Sequence, residues 1–153
     1  MNARTLALIG AVAFAAGVVP AGAQVLELSL SPRVISFPSS DPDALPVVVA
    51  APVTVSYRIR QNAGSGWSLT VLAGGDLISG PSRVDISNVT WTATPAPPFQ
   101  GGTLSKTVAQ RIASGTGNVA NPSSGSVMFR LANSWTYSTG TYTQTVLFTL
   151  SSP

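Results

Sequence analysis

The sequence contains no cysteine and no histidine, and only 8% of its 153 residues are charged. Without cysteine, the fold cannot be held by disulfides and must be stabilised by packing and by hydrogen bonds. The absence of histidine removes the commonest general base, the commonest metal ligand and every catalytic triad that contains His. A zinc site of the Cys/His type is therefore excluded.

The few charges are scattered along the chain, with eight basic and five acidic residues in total. Arg58 and Arg60 are the only close basic pair, and they alternate with Tyr57 and Ile59 as on the exposed face of a strand. Nucleic-acid binding requires clustered Lys and Arg. We therefore expect no nucleic-acid partner.

The first 23 residues have the layout of a signal peptide. Arg4 precedes an apolar run over residues 6–19, and Ala21-Gly22-Ala23 matches an A-x-A cleavage signal. The run is short for a membrane span and is made largely of small residues. We predict cleavage before Gln24 and export to the periplasm, the cell surface or the medium. An uncleaved N-terminal anchor is the alternative, and we expect no membrane span in the mature chain.

Residues 24–153 show the alternation of β-strands and no convincing helical period. Seven or eight short strands with turn signals between them predict one all-β domain. The spacing favours a two-sheet antiparallel immunoglobulin-like sandwich, with a small barrel as the second choice. The residue sets predicted to share a face are Leu26, Leu28 and Leu30; Val53, Val55, Tyr57 and Ile59; Trp67, Leu69 and Val71; Val89, Trp91 and Ala93; Leu104, Val108 and Ile112; Val127, Phe129 and Leu131; and Tyr142, Val146, Phe148 and Leu150.

The last strand raises the question of what it pairs with. Residues 141–150 contain no charge and no proline, although soluble proteins usually protect an edge strand with one of these. We therefore predict that both edges are paired, within the domain or by another subunit, with Val146, Phe148 and Leu150 in the core. Residues 25–30 are the expected partner. The alternative is an ordinary monomer whose domain is complete by itself.

Two stretches resemble exported bacterial surface proteins. "LSLSPRVISFP" resembles the opening of many bacterial immunoglobulin-like domains, and "TGTYTQTVLFTL" resembles the last strand of fimbrial-type subunits, including the spore coat protein U-like pilins. Those pilins usually carry a disulfide, which this chain lacks. The resemblance implies a β-sandwich with a structural or adhesive role, and it assigns no catalytic residue.

Few residues suggest chemistry. Asp41 and Asp43 could hold Ca²⁺ in a loop, but a solvated turn is favoured because the glycine and the spacing of an EF-hand are missing. The other acids, Glu27, Asp76 and Asp85, are scattered, so no carboxylate pair of a glycosidase is predicted. Lys106 could form a Lys-Asn crosslink if a buried acid lay beside it. Adjacent strand residues point to opposite faces, which argues against a dyad of this lysine with its neighbour Ser105.

Three aromatic residues are candidates for a binding surface. Trp135 and Tyr137 would share a face on an extended segment and could stack on sugar rings, although covering the end of the sandwich is favoured. Phe99 lies in the proline-rich loop "PAPPFQGG", which predicts an exposed apolar tip. Tyr142 is expected to cover the core, with its hydroxyl bonded to backbone.

These observations favour a non-enzymatic, exported structural or adhesive surface protein without a cofactor, of which a fimbrial-type subunit is one example. Its expected partners are other copies or related subunits joined by strand pairing. A monomeric module that binds carbohydrate, such as surface glycans, or protein is the alternative function.

Overall fold

A computed structural model describes residues 6–12 as a backbone strand, and residues 24–153 with their side chains. Arg4 and the predicted cleavage signal Ala21-Gly22-Ala23 lie outside the described residues, so the cleavage stays a prediction. Within this part of the chain, no helix has the length and apolar character needed to cross a membrane.

The described residues form thirteen strands, twelve of them after residue 24, where the sequence predicted seven or eight. Several strands are only two to four residues long, which explains why alternation did not reveal them. The strands are β1 (Leu6–Val12), β2 (Val25–Ser31), β3 (Val34–Phe37), β4 (Val47–Val49), β5 (Val53–Arg60), β6 (Gly66–Ala73), β7 (Leu77–Ser79), β8 (Ser82–Val84), β9 (Val89–Thr94), β10 (Gly102–Thr103), β11 (Gln110–Thr116), β12 (Val119–Ala132) and β13 (Tyr142–Ser151).

These strands make a two-sheet antiparallel sandwich, which confirms the predicted fold class. The seven-stranded sheet has the order β11-β6-β13-β1-β3, with β7 on β13 and β8 on β7. The six-stranded sheet has the order β10-β9-β12-β5-β2, with β4 on β12. A 3₁₀ turn at Ile86–Asn88 separates β8 from β9. The parallel pairing of β1 with β13 is the exception to the antiparallel pattern.

The core lies between the sheets and contains no buried polar or charged residue among those described. Six of the seven predicted faces point into it, which confirms the alternation in β2, β5, β6, β9, β12 and β13. The largest fully buried side chains are Phe37, Ile59, Leu69, Leu77, Ile86, Leu104, Ile112, Phe129 and Phe148.

The predicted face of Leu104, Val108 and Ile112 is wrong at its middle residue. Val108 is 60% exposed, because the chain turns there and β11 begins only at Gln110. The Ser105 hydroxyl accepts the backbone N–H groups of Thr107 and Val108, at 3.2 and 3.1 Å. Such local bonds favour a turn over an extended strand.

Candidate functional site

The terminal strand β13 is paired on both edges, as the sequence predicted. It pairs with β6 and β7 along one edge, and with β1 along the other. Val146 and Phe148 are buried, and Leu150 is half-buried against the core. The Tyr142 hydroxyl donates a 3.0 Å hydrogen bond to the carbonyl of Ser138, which confirms the expected bond to backbone.

The partner expected for β13 is wrong. Residues 25–30 belong to β2, which pairs with β5 in the other sheet over seven residues from Val25 to Ser31. Apolar residues of the two strands lie opposite each other there, with Leu28 beside Tyr57. On the outer face, Arg58 reaches Glu27 at 3.6 Å. Both faces therefore favour β5 as the partner of β2.

The strand beside β13 comes instead from the predicted signal peptide. β1 runs parallel to β13 from Leu6 opposite Tyr142 to Val12 opposite Phe148. On its other edge, β1 pairs antiparallel with β3, from Leu6 opposite Phe37 to Ile9 opposite Val34. We call the position that β1 occupies the β13–β3 groove.

This groove depends on a strand that the predicted cleavage would remove. Neighbouring strands are about 4.8 Å apart, so β13 and β3 lie about 10 Å apart across the groove and cannot bond to each other. β3 pairs with no described strand except β1. The buried side chains that flank the groove are the apolar Ile35, Phe37, Val146 and Phe148, and the Tyr142 ring. An empty groove would therefore expose two strand edges and part of the core.

A small apolar cavity of about 40 Å³ lies at the Tyr142 end of the groove, where β1 begins. Burial raises the pKa of the Tyr137 phenol at its wall, so this group stays neutral around pH 7. Nothing in the cavity suggests acid–base chemistry. Its apolar lining residues include Phe37, Val48, Val84, Leu131, Tyr137 and Tyr142.

The structure separates Trp135 from Tyr137. Trp135 is 59% exposed, and its indole N–H donates to the Asp43 carboxylate at 3.0 Å. Tyr137 packs against the core instead. The segment is a turn between β12 and β13 rather than a strand, so the two rings do not form the expected pair.

The prediction of an exposed Phe99 is wrong. This ring is 2% exposed and lies 5.9 Å from the Tyr57 ring in an edge-on contact. The loop folds back because the Phe99 N–H bonds to the carbonyl of Pro95 at 3.1 Å. Gly125 leaves the space for the ring, since a Cβ at that position would collide with it.

Asp41 and Asp43, the two acids considered for Ca²⁺ binding, lie in a turn. The Asp41 carboxylate accepts the backbone N–H of Asp43 at 2.8 Å, and the Asp41 carbonyl accepts those of Ala44 and Leu45. This is the ordinary Asx-turn geometry of an exposed loop. No group of three or more potential metal-ligating side chains occurs in the described part of the chain.

A second polar cluster was missed from the sequence because its members are far apart along the chain. The Lys106 ammonium lies 2.7 Å from Asp76, 30 residues away, and 3.7 Å from Asp85. The Asp76 carboxylate also accepts the backbone N–H of Ile86 at 3.2 Å. The cluster thus connects three loops at one end of the sandwich.

The contacts within this cluster favour the charged form of each of its three side chains. Hydrogen bonds from Lys106 hold the pKa of Asp76 below its ordinary value, and bonds from Ser87 lower the pKa of Asp85. Both carboxylates are therefore ionised around pH 7, and neither suits the protonated acid of a glycosidase. The bond to Asp76 raises the pKa of Lys106, which keeps this amine protonated. The crosslink would need a buried acid, but the side chains of Asp76 and Asp85 are 21% and 57% exposed, so the cluster is a solvent-accessible ion-pair network.

Among the described residues, two features are candidates for function: the β13–β3 groove, whose strand comes from the predicted signal peptide, and the exposed ring of Trp135. Comparison with protein-family models and with curated proteins found no match to this chain.

Proposed function

We propose that the processed chain is an exported structural or adhesive surface subunit, whose sandwich is completed by a strand from another polypeptide, as in a fimbrial-type assembly. The observation that carries this proposal is the origin of the strand in the β13–β3 groove. Residues 6–12 fill it, and they lie within the predicted signal peptide.

The N-terminal part of the processed chain has no other strand to offer. Cleavage before Gln24 leaves one residue ahead of β2, and all seven residues of β2 are paired with β5. Moving β2 into the groove would expose an edge of β5 in the other sheet. A strand from a second copy or a related subunit fills the groove without that loss.

The groove has the properties of a site for strand addition. Backbone groups on both edges would supply hydrogen bonds, and the apolar residues Ile35, Val146 and Phe148 would receive alternate side chains. An incoming strand of about seven residues with apolar alternation fits this chemistry, since β1 has that length. The threonines of β13 and the absence of charge and proline favour pairing over an exposed edge.

The test is the mass of the exported protein in solution, measured by light scattering after size-exclusion chromatography. We expect assemblies, or a complex with a strand-donating partner, that separate into single chains on denaturation. The Trp135→Ala variant is the matched control, because it changes an exposed residue that belongs to neither β13 nor β3 and should assemble normally. A single chain that is stable and carries no second polypeptide would contradict the proposal.

A second function, a monomeric carbohydrate-binding module, is favoured by one observation. Trp135 is exposed, and its bond to Asp43 holds the indole in one orientation, as a platform for a sugar ring requires. Titration with glycans, followed by tryptophan fluorescence, tests this alternative. Binding that Trp135→Ala abolishes, by a protein that is monomeric, would replace the first proposal.

A further inference from the structure

We propose that residues 6–12 act in the unprocessed chain as an internal strand that blocks the β13–β3 groove, so that removal of the leader makes the subunit competent to accept a partner strand. This inference rests on the proposed function, and it adds the regulation of the groove. It assigns the leader a second role, beside export, as an autoinhibitory strand.

The block follows from the position of β1. It pairs with β13 at seven consecutive positions and with β3 at four, and it lies between them. Another strand cannot pair with this edge of β13 over the same residues until β1 has left. The composition of β1, "LALIGAV", contains neither charge nor proline, so it suits a central strand as well as an apolar leader.

The covalent connection makes the block effective. Twelve residues, numbers 13–24, link the end of β1 to the start of β2. Fully extended, they would span about 40 Å, whereas packed sheets are only about 10 Å apart. A connection of this length gives a local concentration on the order of millimolar.

A competing strand at micromolar concentration would then have to bind about a thousandfold more tightly than β1 to displace it. Cleavage removes that advantage, because the leader becomes a separate peptide that dilutes into solution. The groove is then open to a strand of equal or moderately higher affinity. Processing and assembly are in this way linked through one strand.

The experiment uses the full chain, produced without export so that the leader is retained, with a protease recognition sequence placed in the segment 13–20. The probe is a fluorescent peptide of residues 5–13, with a scrambled peptide as control, and binding is followed by anisotropy. We expect the uncut chain to bind at least about a hundredfold more slowly than the cut chain. The scrambled peptide should bind to neither.

A pair of substitutions tests the same point without cleavage. Leu8→Pro removes a backbone N–H in the middle of β1 and should open the groove in the intact chain. Ala16→Pro, outside β1, is the matched control and should leave it blocked. The near-ultraviolet circular dichroism of the buried tryptophans reports whether each variant is folded. If the Leu8→Pro variant does not fold, the comparison of the cut and uncut chains remains the test.

The outcomes separate the two proposals. Equal, rapid binding by the cut and the uncut chain would overturn the block by β1, while the groove would stand as a strand-accepting site. No binding by either chain would overturn the block and would also remove the support for the proposed function. Slow binding that accelerates on cleavage, and on Leu8→Pro but not Ala16→Pro, is the expected result.

Discussion

The two buried tryptophans, Trp67 and Trp91, differ in the hydrogen bonding of their indole N–H groups. Trp91 packs against Gly102, and its indole N–H donates to the carbonyl of Gln100 at 2.9 Å. Trp67 packs against Gly115, where a Cβ would collide with its ring, and its indole nitrogen has no hydrogen-bond partner among the described residues. Both rings are buried, as the sequence predicted.

We expect the replacement of either tryptophan by Ala to lower the free energy of unfolding by about 3–5 kcal/mol, because a large cavity remains. Replacement by Phe should lower the stability by different amounts at the two positions. Trp91→Phe loses the bond to Gln100, so it should cost about 1 kcal/mol more than Trp67→Phe, which loses none. Equal costs for the two Phe variants in urea unfolding would show that the indole bond contributes nothing.

The Lys106 cluster predicts a pH-dependent contribution to stability. The pKa values of Asp76 and Asp85 are lowered in the folded chain, so their contribution is present above about pH 4, the unfolded value. It is lost as the pH falls through the folded pKa values. The pKa of Lys106 is raised in the folded chain, so its pH dependence has the opposite direction. The contribution of Lys106 to stability is present below its pKa in the unfolded chain and is lost as the pH rises through its pKa in the folded chain.

Lys106→Met should therefore have a lower melting temperature than the parent chain at pH 7, and the difference should shrink from about pH 4 downwards. The effect should be small, because the pair is exposed to solvent. Lys106→Arg keeps the charge and is the control, which should follow the parent across the range. A difference that is constant between pH 2 and pH 7 would rule out the ion pairs as its cause.

Among the strands, β2 pairs with β5 and not with β13, so the deletion of β2 has a different expected effect from the one that the sequence suggested. Removal of residues 25–31 should expose an edge of β5 (Val53–Arg60), because β2 is its partner there. Hydrogen exchange of the β5 amides should accelerate strongly, while β13 should stay protected by β6 and β1. Faster exchange in β13 with no change in β5 would restore the pairing that the sequence suggested.

The faces of the longer strands could be predicted because alternation is a local signal. In β5, the residues Val53, Val55, Tyr57 and Ile59 alternate with exposed or half-buried ones, and the structure buries all four. Such a signal needs no knowledge of the partner strand. It fails where a turn interrupts the pattern, as at the exposed Val108.

The partners of the strands and the contacts of the loops could not be predicted in the same way. The burial of Phe99 depends on the space left by Gly125, 26 positions further along the chain. The ion pair of Lys106 with Asp76 likewise joins residues 30 positions apart. The strand beside β13 was missed because the apolar run near the N-terminus was interpreted as a leader or an anchor, although the same composition suits a buried strand.

For the whole molecule, residues 6–12 have two assignments: they belong to the predicted leader and they form a strand of the sandwich. The seven-stranded sheet is continuous from β11 to β3 only while residues 6–12 lie between β13 and β3. The six-stranded sheet contains no residue from this segment. The loss of the leader would therefore leave one sheet intact and divide the other, so the need for a partner strand is confined to the edges of β13 and β3 that face the groove.

The opening of the β13–β3 groove therefore depends on whether the predicted leader is removed. Mass spectrometry of exported protein should find an N-terminus at Gln24, because signal peptidase requires small residues such as Ala21 and Ala23 at the A-x-A positions. Ala23→Tyr should block the cleavage and keep the chain in the membrane. Gly22→Ala, at the permissive middle position, is the matched control and should be processed like the parent chain. Exported protein that still begins at Met1 would contradict cleavage, and with it the argument that the β13–β3 groove is vacated for a partner.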